Sequence, residues 1–113
     1  MSSHDLHPDQ TTELAQTFGL LSDPTRLSIV IACMDGEKSA GDIADDVGTS
    51  ASLTSHHLRL LRSARLLKSQ RRGKQVFYAM ADACVLSVLK IMIDHLDHDH
   101  PEITETERET SNA

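Results

Sequence analysis

Four residues at the ends of one apolar stretch have the chemistry of metal ligands. Asp82 and Cys84 open the segment "DACVLSVLKIMIDHLDHDH" (82–100), and His95 and His98 stand near its close. Carboxylate, thiolate and imidazole are the donors of tetrahedral Zn²⁺ sites. His95 and His98 are three apart, so on a helix they share a face and can chelate one ion. Cys84 and His95 are eleven apart. Eleven residues is about three turns, so these two also share a face, yet they sit roughly 16 Å apart along the axis. No side chains close that gap within one straight helix, but an antiparallel copy of the same helix does. With a twofold axis near Leu89-Lys90, residue 84 of one chain faces residue 95 of the other. The spacing predicts a homodimer with two symmetric metal sites. Each takes Asp82 and Cys84 from one chain and His95 and His98 from the other.

The same helix has a stripe suited to such a seam. Val85, Leu89, Met92 and Leu96 follow i, i+4, i+7, i+11, and Leu86 and Ile93 widen it. Asp82 is also placed to cap this helix when no metal is bound. A set of one thiolate, one carboxylate and two imidazoles suits Zn²⁺ first and then Cd²⁺. Asp97, Asp99, His100, His4 and His7 are the residues from which a six-coordinate Ni²⁺ or Co²⁺ site could be completed. Cys33 reads as core.

A second chemistry lies in the middle of the chain. The net charge is −6, which by itself argues against nucleic acid. Its distribution reverses that. From Val47 to Ala81 there is no Asp or Glu, and the stretch holds seven of the eleven basic residues: Arg59, Arg62, Arg65, Lys68, Arg71, Arg72 and Lys74. The four other cations share the remainder of the chain with all seventeen carboxylates. One basic segment on an acidic body is the footprint of a DNA binder.

The elements that must position these residues follow from pattern and punctuation. Residues 1–10 are polar and read as a loose tail. "TTELAQTFGLL" (11–21) fits a short amphipathic helix. "SDPTRLSIVIACMDG" (22–36) starts a second helix, with Asp23 as N-cap, Pro24 at the first position and Gly36 as the stop. "SAGDIADDVG" (39–48) is a third, ending at Gly48. A fourth helix, capped by Ser50, spans "TSASLTSHHLRLLRSARLL" (49–67), with Leu53, His57, Leu58, Leu60 and Leu61 as its apolar stripe. The period then changes: "LLKSQRRGKQVFYAM" (66–80) reads as a β-hairpin turning near Arg72-Gly73-Lys74. The last helix runs from Asp82 to His98, and the Glu- and Thr-rich 101–113 reads as a disordered acidic tail. The fold class is mainly α with a small hairpin, in the order α-α-α-α-β-β-α: a winged helix-turn-helix, with one domain over 11–100.

Three motifs carry a resemblance. "LSDPTRLSIV" (21–30), "SHHLRLLRSARLL" (55–67) and "RRGKQVFYAM" (71–80), in this order and spacing, resemble the ArsR/SmtB family of metal-responsive winged-helix repressors. The resemblance spans about residues 12–98. It implies a homodimer that binds operator DNA without metal and leaves it when a divalent metal binds. It also implies that helix four enters the major groove. Ser52, Thr54, Ser55 and His56 then approach base edges, and Arg59, Arg62, Arg71, Arg72 and Lys74 contact phosphates or the minor groove. Ala51 stands where the family often has Gln. The family's last-helix metal pattern is Asp-x-His followed by His-x-x-His or His-x-x-Glu, and Cys84 stands here in place of the first His. Ser39 and Gly41 occupy positions where relatives with a second site carry cysteines, so that site is not expected.

Composition narrows the alternatives. No Trp, one Tyr and two Phe leave no stacking platform for single-stranded nucleic acid. No apolar run reaches the roughly 20 residues of a membrane span. Two cysteines 51 positions apart make no disulfide framework and suit a reducing cytoplasm. There is no nucleophile-base constellation, so an enzyme is not expected. A thiol redox or persulfide sensor on the same scaffold would have to use Cys33 and Cys84. A metal-storage or delivery protein would show no sequence-specific DNA binding.

Overall fold

The computed structural model describes residues 5–99, and side chains as far as Asp97. The expected tail at 101–113, together with His4 and His100, lies outside the described residues. The described chain divides into two compact units between Asp82 and Ala83.

The first unit begins with α1 (Pro8–Leu21) and α2 (Pro24–Ala32). Helix α1 starts three residues before the expected position. Pro8 fits the first helical position, and the Gln10 side chain accepts from the His7 backbone N–H at 2.9 Å, so the start is fixed locally. Helix α2 begins as expected: Asp23 Oδ2 accepts from the Arg26 N–H at 2.9 Å. It ends at Ala32, four residues before Gly36, because Cys33 and Met34 close tight turns onto the carbonyls of Val30 and Ile31. A two-residue strand follows, β1 (Lys38–Ser39), which periodicity did not anticipate.

Helix α3 (Ala40–Val47) is capped by Ser39, whose Oγ accepts from the Asp42 N–H at 3.1 Å. Gly48 ends it in the left-handed region at φ 73°, where a side chain would be strained. Helix α4 (Ala51–Ser63) follows, with Ser50 Oγ accepting from the Leu53 N–H at 3.0 Å. Its C-terminus is a Schellman motif: Leu66 N–H bonds the Leu61 carbonyl and Arg65 N–H the Arg62 carbonyl, both at 3.0 Å. Arg65 occupies the left-handed position there, at φ 62°. The chain then turns into β2 (Leu67–Arg72) and β3 (Gln75–Met80). Gly73, at φ 62°, takes the first of the two turn positions.

The three strands form one antiparallel sheet in the order β1-β3-β2. β1 pairs Lys38 with Tyr78 and Ser39 with Phe77; β2 pairs Leu67 with Met80 through to Arg72 with Gln75. Thus the order is α-α-β-α-α-β-β-α, the winged helix-turn-helix expected, with one short strand added to the hairpin. The core of this unit is Ile29, Val30 and Cys33 from α2, Ile43 and Ala44 from α3, Leu58 and Leu61 from α4, and Leu66 and Leu67 at the entry to β2. It fixes α3 and α4 against each other, and so fixes which face of α4 meets solvent.

The second unit is α5 (Ala83–Asp99), with Asp82 immediately before it. Among the described residues no helix is long and apolar enough to cross a membrane.

Candidate nucleic-acid and metal-binding surfaces

Helix α4 presents two opposed faces. Thr54, His57, Leu58 and Leu61 are buried. Ser52, His56, Arg59 and Ser63, spaced i, i+4, i+7, i+11, run along the exposed side, with Ser55 and Arg62 flanking them. Short hydroxyls near the N-terminus and cations further along fit close approach to base edges and phosphates.

Two expectations for this helix are corrected. Thr54, read as a DNA contact, is only 1% exposed and faces the core. Its hydroxyl has no hydrogen-bond partner. Leu53 and Leu60, read as part of the buried stripe, are exposed. The buried arc is centred on Leu58 and Leu61, which turns Leu53 and Leu60 onto a flank and Thr54 inward. His57 is buried as expected, with Arg26 Nη1 at 3.5 Å from its Nδ1. Arg26 also donates from Nε to the Leu20 carbonyl at 2.8 Å, linking the end of α1 to α2.

The wing cations divide in the same way. Lys74 and Arg71 stand exposed at the tip, and Arg71 Nε donates only to the nearby Gly73 carbonyl, at 3.3 Å. Arg72 is engaged within the chain. Its Nη2 donates to both Glu37 carboxylate oxygens at 2.8 Å, and its guanidinium lies 4.9 Å from the Phe77 ring centre. Nothing local in the sequence signals this pair, since its members are 35 residues apart. Arg62 Nη1 donates to Ser69 Oγ at 3.3 Å, which leans α4 onto β2. Lys38 and Asp46 form another ion pair of this unit.

The expected ligands lie on α5 or immediately before it. Cys84 and His95 are exposed and Asp82 is half-buried; His98 belongs to the helix, but its side chain falls beyond those described. Among the described residues no group of three His, Cys, Asp or Glu side chains converges within the chain. The exposed apolar surface takes in Met92 and Leu96 of the expected stripe and two residues outside it. Val85, Leu86, Leu89 and Ile93 are buried or half-buried, whereas Val88 is 47% and Ile91 68% exposed. Cys84, Val88, Ile91 and His95 follow i, i+4, i+7, i+11 and so lie on one exposed line. Met92 and Leu96, both 55% exposed, border it. The candidate ligands therefore flank an apolar strip rather than sit beside one. The donors suit the metal chemistry: a thiol, a carboxylate and imidazoles at the two ends of that strip.

Cys33 belongs to a different environment. It is 1% exposed, and burial pushes its thiol up to about 11 against the opposing charge of Lys38. A buried thiol held protonated is a poor nucleophile, which counts against the Cys33–Cys84 pair that redox sensing would need.

Comparison with known proteins follows the same lines. The model for the family described as bacterial regulatory protein, arsR family, matches residues 23–69, from the Asp23 cap through α4 into β2. The chain is 40% identical over 88 residues to the transcriptional repressor SmtB homolog of Synechocystis, covering 78% of this chain and 67% of that one. The chain belongs to the ArsR family. A second family relative is the cadmium resistance transcriptional regulatory protein CadC homolog of Staphylococcus aureus, 33% identical over 87 residues, covering 76% of this chain and 72% of that one. Among solved structures, NolR from Sinorhizobium fredii matches with a TM-score of 0.71 at 26% identity, over 80% of this chain and 94% of that one. Both the SmtB and the CadC homologs are transcriptional regulators.

Proposed function

We propose that this ArsR-family chain is a cytoplasmic, metal-sensing transcriptional repressor. As a homodimer without metal it binds operator DNA. Ser52, Ser55 and His56 approach the bases, and Arg59, Arg62, Arg71 and Lys74 approach phosphates. A divalent metal, Zn²⁺ first and Cd²⁺, Co²⁺ or Ni²⁺ after it, is held between two antiparallel copies of α5 and releases the DNA. The observation that carries this reading is the single exposed line Cys84, Val88, Ile91, His95 on α5.

That line supports the reading in two ways. Val88 and Ile91 are large apolar side chains at the centre of a helix face, and covering them with a second copy removes them from water. The antiparallel arrangement that covers them also brings Asp82 and Cys84 of one chain to His95 and His98 of the other. A bound divalent ion would supply a cross-link between the two helices. The chain's own residues do the rest: the apolar strip sets the register, and the ligands at its ends fix how the copies are rotated. Since α4 and the wing are separate elements from α5, release acts through the spacing of two reading heads. A coupling of about 1–3 kcal/mol gives a 5- to 150-fold loss of DNA affinity.

The test is fluorescence anisotropy on duplexes selected from a random-sequence library by the metal-free protein. The bound duplex should dissociate on adding Zn²⁺, with Cd²⁺, Co²⁺ and Ni²⁺ compared in turn. Retention of the duplex under all four metals would sink the reading.

A further inference from the structure

Arg72 is unlike the other cations of the basic segment. One nitrogen, Nη2, donates to both oxygens of Glu37 at 2.8 Å and to Gln70 Oε1 at 3.2 Å. The guanidinium also packs 4.9 Å from the Phe77 ring centre. These contacts touch all three strands or their approaches. Arg72 ends β2, Phe77 lies on β3 in register with Gln70 of β2 and Ser39 of β1, and Glu37 immediately precedes β1. An isolated exposed ion pair would hold little. Here the planar group is used on its edge by a carboxylate and an amide and on its face by a ring, a combination Lys cannot reproduce. By contrast, Arg71 and Lys74 form no ion pair among the described residues.

We propose that Arg72 is a positioning residue that clamps the wing to Glu37 across β3, and that the wing's phosphate contacts come from Arg71 and Lys74 alone. The inference rests on the proposed DNA-binding function. The pair also neutralises one of the seven charges of the basic segment in place, so the wing meets DNA with two cations at its tip. The clamp has a purpose at that spot. A two-residue turn on a two-stranded arm has few contacts of its own, and an arm that swings has to be ordered when DNA binds, which lowers affinity.

Side-chain NMR of the arginine and lysine nitrogens, with and without the library-selected duplex, reads the assignment directly. The Lys74 and Arg71 signals should move on adding DNA while that of Arg72 stays. In the DNA-free protein Glu37→Gln should already move the Arg72 signal. A shift of Arg72 with DNA as large as that of Lys74 would overturn the proposal and leave DNA binding intact. If no signal moves, the DNA-binding reading itself fails and the proposal with it. Salt titration gives the second readout. Lys74→Met should lower the slope of log affinity against log salt by about 0.9 per wing, the loss of one phosphate contact. Arg72→Lys should weaken binding several-fold with the slope unchanged. Full affinity in Arg72→Lys would overturn the clamp, because a phosphate contact tolerates lysine and this geometry does not.

Discussion

Helix α4 and helix α5 make opposite use of an exposed face. The exposed line of α4 is polar, and the opposite face is buried in a core supplied by α2, α3 and β2 of the same chain. Nothing more is needed to hold Ser52, His56 and Arg59 in place. The exposed line of α5 is apolar in the middle and polar at the ends, with Val88 and Ile91 in water between Cys84 and His95. Under the proposed function, a DNA-reading face can thus be finished by one chain, while a face that responds to ligand is best built where the chain is unfinished. An equilibrium between two arrangements exists only where packing has not already chosen one.

The sharpest way to break that contrast is to charge the strip. Ile91→Asp should abolish self-association, because each copy would bury an uncompensated carboxylate at about 3–5 kcal/mol. Sedimentation should find a monomer whose α1-to-β3 unit keeps its circular dichroism and its melting temperature within a few degrees. An unchanged dimer would mean that Val88 and Ile91 are not the seam. Next in size is the sensor itself. Cys84→Ala or His95→Ala should abolish metal-driven release, up to about 3 kcal/mol of coupling, with metal-free DNA affinity kept within about twofold. Either variant still leaving the duplex on adding Zn²⁺ would show that the ligands lie elsewhere.

The contrast also explains what could be read from the sequence. Helix starts were legible where a capping side chain stands, with a proline behind it at Asp23-Pro24 and alone at Ser50, because the signal sits within four residues. That Cys84 and His95 share one exposed line of α5 was legible because helical periodicity alone sets it. The exposure of Val88 and Ile91, which stand outside the expected stripe, was not legible, because the helix is apolar on most sides and periodicity alone does not choose among them. Thr54 was misread through its residue type: a hydroxyl at the start of a reading helix looks like a DNA contact until burial shows it inward. Strand β1 and the Glu37–Arg72 pair had no local signature, being a two-residue pairing and a contact between distant segments.

Cys33 separates the two regions chemically. Its thiol is raised from 9.0 to about 11 in the folded chain. An acid held protonated by burial stabilises the fold fully below its unfolded pKa, and that stability is lost as pH rises through the folded value. The window is therefore pH 9 to 11, with a loss on the order of 2 kcal/mol. Urea titrations across that range should show the decline, and Cys33→Ala should flatten it. Equal slopes in both proteins would place the titrating group elsewhere.

Thr54→Val has the smallest effect and tests the α4 side most cleanly. The Thr54 hydroxyl is buried without a partner, so folding removes it from water and returns no hydrogen bond. Valine has the same shape and β-branching, and both residues cost a helix about the same. The substitution should raise stability by about 1 kcal/mol in urea unfolding. DNA affinity should stay unchanged, because the side chain lies on the buried face of α4 with Leu58 and Leu61. His56→Ala, two residues on and on the opposite, exposed face, should do the reverse, weakening DNA binding without moving the urea midpoint. If Thr54→Val weakened DNA binding as His56→Ala does, the hydroxyl would have to rotate outward in the complex, and the inward face of α4 would not be fixed by its own chain after all.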